Sequence, residues 1–189
     1  MQTQFPYHDT ESAPDAAVPS LQQAEQRFGM LPNLMRKMAT APALLDAYLA
    51  LGDLFEQTSL SPAEQQVVLL TVSRENRCEY CVGAHSVLAD MAEVPKEVTD
   101  ALRDGQPLPD LRLEALSRFT AAVVEARGWV GEAEMDAFLA AGYGPWQALE
   151  VVLGVGMKTL SNYTNHIAGT ELDDLFQHRA WDAGTGGSA

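Results

Sequence analysis

The amino-acid sequence predicts an all-α protein, a single helical bundle. Two features say so: apolar residues recur at three- and four-residue steps, as at Leu113, Leu116, Phe119, Ala122, Val123 and Ala126, and the alternation expected of a strand is missing. The punctuation agrees, with proline where a first helical turn tolerates it, as at Pro42 and Pro62, and glycine where a helix stops, as at Gly29. A chain of 189 residues, 47% of them hydrophobic, can bury one core and is short for two. The expected organisation is an extended N-terminal arm over 1–19, one helical domain over 20–175 and a flexible C-terminal tail over 176–189.

Each element follows from local chemistry. The arm is polar, carries three prolines and has no helical period. From Leu21, "LQQAEQRF" runs to Gly29, "NLMRKMAT" follows Pro32, and "PALLDAYLALGDLFEQT" starts at Pro42. In "LSPAEQQVVLLTVSREN", Ser61 caps, Pro62 takes the first helical position and Glu64 completes a Ser-x-x-Glu capping box. A fifth helix is expected from about Cys78 to Met91, stopped by Val94-Pro95, with "PKEVTDALRDG" as a short successor. "DLRLEALSRFTAAVVEARG", "GEAEMDAFLAAG" and the long "GPWQALEVVLGVGMKTLSNYTNHIAG" supply three more, and the Gly- and Ser-rich "DAGTGGSA" ends the tail.

Charge narrows the function. Twelve Lys and Arg against 26 Asp and Glu give a formal charge of −14, a field that repels nucleic acid and anionic membrane. No stretch reaches the roughly 18 unbroken apolar residues of a membrane span, and the start "MQTQFPYHDTESAPD" lacks a signal peptide's basic and apolar regions, so a soluble cytoplasmic protein is expected. "GVG" at 154–156 interrupts a helix and follows no strand, which removes nucleotide binding. His8 and His178 read as solvated surface, and Trp129, Trp146, Phe119 and Phe138 as core or interface aromatics.

The chemistry concentrates in "RENRCEYCVGAHSVLAD", residues 74–90, which holds the chain's two cysteines, Cys78 and Cys81, with His85 four positions on. On a helix Cys78 and Cys81 lie about 60° apart, Cys81 and His85 about 40°, and Cys78 and His85 about 20°, so the three share one face. At a helix start the first-turn amides and the dipole favour thiolate, and His85, one turn from Cys81, can take a proton directly or through water. Cys78 is placed to close a disulfide with an oxidised Cys81, as in the two-step reduction of a peroxide. Other readings stay open: a zinc site of Cys78, Cys81 and His85 with His166 as a distant fourth ligand, or two buried thiols beside a core histidine. Covalent haem attachment fails, because Val82 stands where a histidine must follow the second cysteine.

The stretch "LSPAEQQVVLLTVSRENRCEYCVGAHSVLA" resembles the AhpD-like alkylhydroperoxidases of the carboxymuconolactone decarboxylase superfamily, most closely over 60–90 and more loosely over 21–170. The resemblance implies an AhpD-like helical bundle with the Cys-x-x-Cys at the N-terminus of a helix. It implies Cys81 as the peroxide-reacting thiol, Cys78 as the resolving thiol, His85 in a proton relay, and assembly as trimers or hexamers. The chain departs from the family at the position twelve residues before Cys78, where the relay glutamate is replaced by Gln66, an amide that holds a hydrogen bond and accepts no proton near neutral pH. Glu64 and Glu75 point about 160° and 180° away from Gln66 on one continuous helix and do not substitute for it. The superfamily's lactone decarboxylases generally lack the Cys-x-x-Cys, which argues against that activity here.

The expected protein is thus a thiol-dependent peroxidase acting on hydrogen peroxide or organic hydroperoxides. Cys78, Cys81 and His85 are catalytic, Gln66 supports the relay, and no metal, flavin or other cofactor is needed. The expected partners are an external dithiol reductant, lipoyl or thioredoxin-like, and further copies of the chain. The alternative is a redox-responsive binding or sensor protein of the same fold, which Gln66 favours. In "KTLSNYTNHIAG", Asn162, Asn165 and His166 stand on adjacent turns and read equally as a thiol-pocket or subunit-contact lining and as a polar helix end.

Overall fold

The computed structural model describes residues 4–184. Among these it contains nine α-helices and no strand. They are α1 Val18–Phe28, α2 Asn33–Met38, α3 Pro42–Glu56, α4 Pro62–Glu75, α5 Glu79–Met91, α6 Lys96–Asp104, α7 Leu111–Glu125, α8 Glu132–Ala140 and α9 Pro145–Ala168. Short 3-10 segments cover Asp15–Ala17 and Asp174–Arg179.

The centre of the bundle is α4, which packs against α5, α6, α7 and α9. Its Val67, Val68, Leu69, Leu70, Thr71, Val72 and Ser73 are all buried, so no face is left for solvent, as expected of a helix at the middle of a core. Its start is fixed as the sequence requires: Ser61 Oγ accepts from the Glu64 amide while Glu64 returns a carboxylate to the Ser61 amide at 2.8 Å. The buried Gln65 amide donates to the carbonyls of Phe55 and Leu60, both at 3.1 Å, and ties the end of α3 to α4.

The turn from α4 to α5 is tight and specific. Arg77 adopts the left-handed region at φ 55°, and the Cys78 amide reaches back to the Ser73 carbonyl at 2.9 Å, closing α4 and leaving Cys78 as the cap of α5. The last helix, α9, is a single rod of 24 residues against α2, α3, α4, α5 and α7. Gly154 lets it come close: a Cβ there would stand 2.8 Å from both Phe55 and Val68.

Both ends of the described chain are docked on the bundle. In the arm read as 1–19, His8 exchanges backbone and side-chain hydrogen bonds with Arg36 of α2, and α1 begins at Val18, inside it. Of the tail read as flexible over 176–189, the part to 184 is held. Arg103 donates to the carbonyls of Arg179 and Ala180 at 2.9 Å each, the Trp181 indole donates to the Arg103 carbonyl, and the Arg179 carbonyl lies 3.5 Å from where a Cβ on Gly83 would be; Leu172, just ahead of the tail, lies 2.9 Å from the same point. Residues 185–189 lie outside the described residues. No helix is long and apolar enough to cross a membrane.

Gly154→Val forces a branched side chain into the α3–α4–α9 contact and should destabilise the fold by about 2 kcal/mol, read from the urea midpoint. An unchanged midpoint would show that Phe55 and Val68 can give way.

Candidate active site

Three helices converge on the cysteines. Cys78 and Cys81, each 1% exposed, occupy the cap and the first turn of α5, where unpaired amides favour negative charge. From α9, Asn165 Nδ2 donates to both sulfurs, 3.2 Å to Cys81 and 3.7 Å to Cys78, and Ser161 Oγ stands 3.8 Å from Cys81 Sγ. From α4, Gln66 Oε1 lies 3.1 Å from His85 Nδ1. That oxygen only accepts, so Nδ1 carries the proton and Nε2 keeps its lone pair.

A cavity of about 310 Å³ opens beside these groups. Its walls are mostly apolar, with Met35, Leu49, Phe55, Leu69, Ala84 and Met157 among them, and Cys81, His85, Gln66 and Lys158 also face it. Cys78 does not line it. The two thiols therefore occupy different positions, one at the cavity wall and one behind.

Their electrostatics differ in the same sense. Burial alone would push the Cys81 thiol up, but the hydrogen bond from Cys78, the Lys158 ammonium and Ser161 outweigh it and hold Cys81 well below the ordinary thiol range. Cys78 is pushed up, first by its hydrogen bond to Cys81 and then by burial. Burial, with Lys158 beside it, pushes the His85 imidazole well below its ordinary value of 6.5, so the ring is neutral at physiological pH.

The residues expected from the sequence thus come together: Cys78, Cys81 and His85 on α5, with Gln66 holding the imidazole. Of the polar cluster on α9, Asn165 touches both thiols and Asn162 accepts from Asn76 at 2.9 Å, whereas His166 is exposed and stacks loosely on Tyr163. The distant fourth zinc ligand therefore points away from the cysteines. No group of three His, Cys, Asp or Glu among the described residues is placed to hold a metal. Sequence reasoning missed Lys158, which is fully buried on α9, and Tyr48 of α3, on the same cavity wall. The available signal was the spacing of Lys158, Ser161 and Asn165, three and four apart, which places them on one face.

Residues 42–108 match the model of the carboxymuconolactone decarboxylase family. No curated protein matches the sequence significantly. Among solved structures, the chain is similar to the alkylhydroperoxidase AhpD core of an uncharacterized peroxidase-related protein from Ralstonia eutropha JMP134. The TM-score is 0.82 at 23% identity, covering 93% of this chain and 95% of that one. A peroxidase-related protein from Silicibacter sp. TM1040 gives a TM-score of 0.77 at 20% identity, with 94% of each chain covered. The debrominase Bmp8, solved in complex with 2,3,4-tribromopyrrole, gives 0.79 at 18% identity over 95% of this chain and 96% of that one. At these identities the likeness to the solved structures establishes the fold.

The neutral state of His85 sets a pH dependence. The unfolded chain binds a proton on this imidazole near 6.5 while the folded chain does not. Stability therefore rises with pH through the window below that value and is lost as pH falls, by up to about 1.4 kcal/mol per pH unit from this one group. Urea unfolding between about pH 7 and pH 5 should show a shallower acid loss in His85→Gln than in the parent chain. Equal slopes would mean that the imidazole accepts a proton without unfolding.

Proposed function

We propose that this chain, whose residues 42–108 match the carboxymuconolactone decarboxylase family and whose all-helical fold is AhpD-like, is a member of that superfamily and a thiol-dependent peroxidase that reduces hydrogen peroxide or organic hydroperoxides. The observation that carries this reading is the division between the cysteines. Cys81 faces an apolar cavity among groups that favour its thiolate, and Cys78 sits behind it, protonated, within reach of the same Asn165 amide.

The Cys81 thiolate attacks the outer oxygen of the peroxide, so that an S–O bond forms, the O–O bond breaks and the inner oxygen leaves as water or an alcohol once protonated. Cys78 then attacks the sulfur of the resulting sulfenic acid. His85 Nε2, through water, accepts the proton that Cys78 sheds and returns it to the departing hydroxide, and a Cys78–Cys81 disulfide closes. An external dithiol, lipoyl or thioredoxin-like, reopens it by exchange and is itself oxidised. Gln66 holds the imidazole in the tautomer this needs.

We further read the protein as a homo-oligomer, a trimer or hexamer. Trp146, Leu149, Val152 and Ile167 stand exposed along the outer side of α9, an apolar stripe suited to contact with another copy.

One observation favours the second reading, a redox-responsive binding protein. Tyr80, between the two cysteines, donates its hydroxyl to Asp173 at 2.6 Å, so disulfide closure would pull on the C-terminal segment. Turnover separates the two. With peroxide and excess dithiol, Cys81→Ser should abolish peroxide consumption, and Cys78→Ser should stop at one sulfenic acid per chain, trapped by a dione reagent and read by mass spectrometry. Equal residual activity in both variants would sink the roles, and a single oxidation without cycling in the parent chain would favour the sensor.

A further inference from the structure

Among the described residues, buried charged side chains meet a hydrogen-bonding partner, with one exception. Lys37 donates to the Phe5 carbonyl at 2.5 Å, Glu64 caps α4 and meets Arg112 at 3.1 Å, and Asp173 accepts from Tyr80 and the Asn33 amide. Lys158 is 0% exposed, and among the described residues its Nζ meets no acceptor at hydrogen-bonding geometry. A bare ammonium in an apolar interior would give up its proton unless a negative charge stood nearby.

What surrounds it supplies one candidate. Lys158 lies on α9 one turn before Ser161 and two before Asn165, both of which touch Cys81. It lines the same cavity as Cys81 and His85 of α5 and Tyr48 of α3, with Cys78 behind Cys81. The carboxylate on the cavity wall, Glu56, is taken by Arg27, which also pairs with Asp53.

We propose that the Lys158 ammonium is the counter-ion of the Cys81 thiolate and the proton donor to the oxygen expelled from the peroxide, so that Lys158 loses its charge in the step in which Cys81 loses its own. The ion pair stands independently; the proton transfer rests on the peroxidase reading. The cycle balances. Thiolate, ammonium and ROOH give Cys81 sulfenic acid, ROH and a neutral amine. The Cys78 thiol and the sulfenic acid give the disulfide and water. The external dithiol returns two hydrogens, one on Cys78 and one on Cys81, and the latter moves to the amine and restores the ion pair. The electrostatics agree: burial alone would push Lys158 down, but the Cys81 thiolate, first among its neighbours, holds it up. His85, pushed well below its ordinary range, can pass a proton on within a step but does not store the one the thiolate has given up. Since the amine accepts that proton, the site needs no carboxylate where Gln66 stands.

The test uses the Cys78→Ser chain, in which Cys81 is the only thiol, and follows iodoacetamide alkylation against pH with Lys158 intact, as Lys158→Met and as Lys158→Arg. Lys158→Met should raise the midpoint by about two pH units and slow alkylation near pH 6 about a hundredfold. Lys158→Arg should keep the low midpoint but slow sulfenic acid formation with cumene hydroperoxide at least about tenfold, because guanidinium keeps its proton. A folded Lys158→Met chain, by circular dichroism, with an unmoved midpoint would overturn the proposal. A readout needing no variant is ¹⁵Nζ NMR of the three lysines. One should be charged in the dithiol form and neutral in the diamide-made disulfide, and three charged amines in both forms would overturn the redox link. If the parent chain forms no sulfenic acid with peroxide, the peroxidase reading fails, while the alkylation profiles still decide the ion pair.

Discussion

A charge placed where water cannot reach it must be answered by another charge, and Lys158 imposes that demand on the centre of this protein. It sits on α9, the helix that also carries Ser161 and Asn165, so one rigid rod delivers a cation, a hydroxyl and an amide to the same pair of sulfurs. The rest of the bundle can be seen as holding that rod in place. α4, buried on every side, fixes where α9 and α5 meet, and Gly154 brings α9 close enough to Phe55 and Val68 for its polar face to reach the cysteines. The tight turn through Arg77 then sets Cys78 and Cys81 at the start of α5, where the helix adds its own positive end.

Against that seam the cavity is chemically plain. Apolar walls keep water scarce beside Cys81, which strengthens each electrostatic term acting on the sulfur. The neutral imidazole of His85, pinned by Gln66, adds a proton site without adding a second cation beside Lys158. A glutamate at position 66 would bring a negative charge toward His85 and the thiolate; an amide keeps the hydrogen bond and leaves the charge pattern to the lysine and the sulfur alone.

The helices were legible because their signals are local. Capping chemistry, prolines and apolar spacing placed all nine within a few residues, and the face shared by Cys78, Cys81 and His85 follows from helical geometry alone. What stayed illegible depends on neighbours distant in the chain. A lysine after "VVLGVGM" reads as a residue that reaches for solvent, and only the packing of α9 against α3 and α5 shows that it cannot. Asn162, Asn165 and His166 look alike in the sequence, yet one meets the thiols, one meets Asn76 and one faces out, a distinction set by rotation of the helix against its partners. The C-terminal segment read as a tail because its composition is turn-like, and its anchors, Arg103 and Trp181, lie 78 residues apart.

Gly83 gives that segment a further meaning. It lies on α5 between Cys81 and His85, and the space its missing side chain leaves is filled by Leu172, with the Arg179 carbonyl next to it. The strap therefore rests on the backbone of the helix that carries the nucleophile, and any bulky residue at 83 would lift it off. This is a position with no reactive atom and no hydrogen-bonding side chain, yet it tolerates little sequence drift. Variation there would be expected to alter how the site is walled from solvent before it altered any group that performs chemistry.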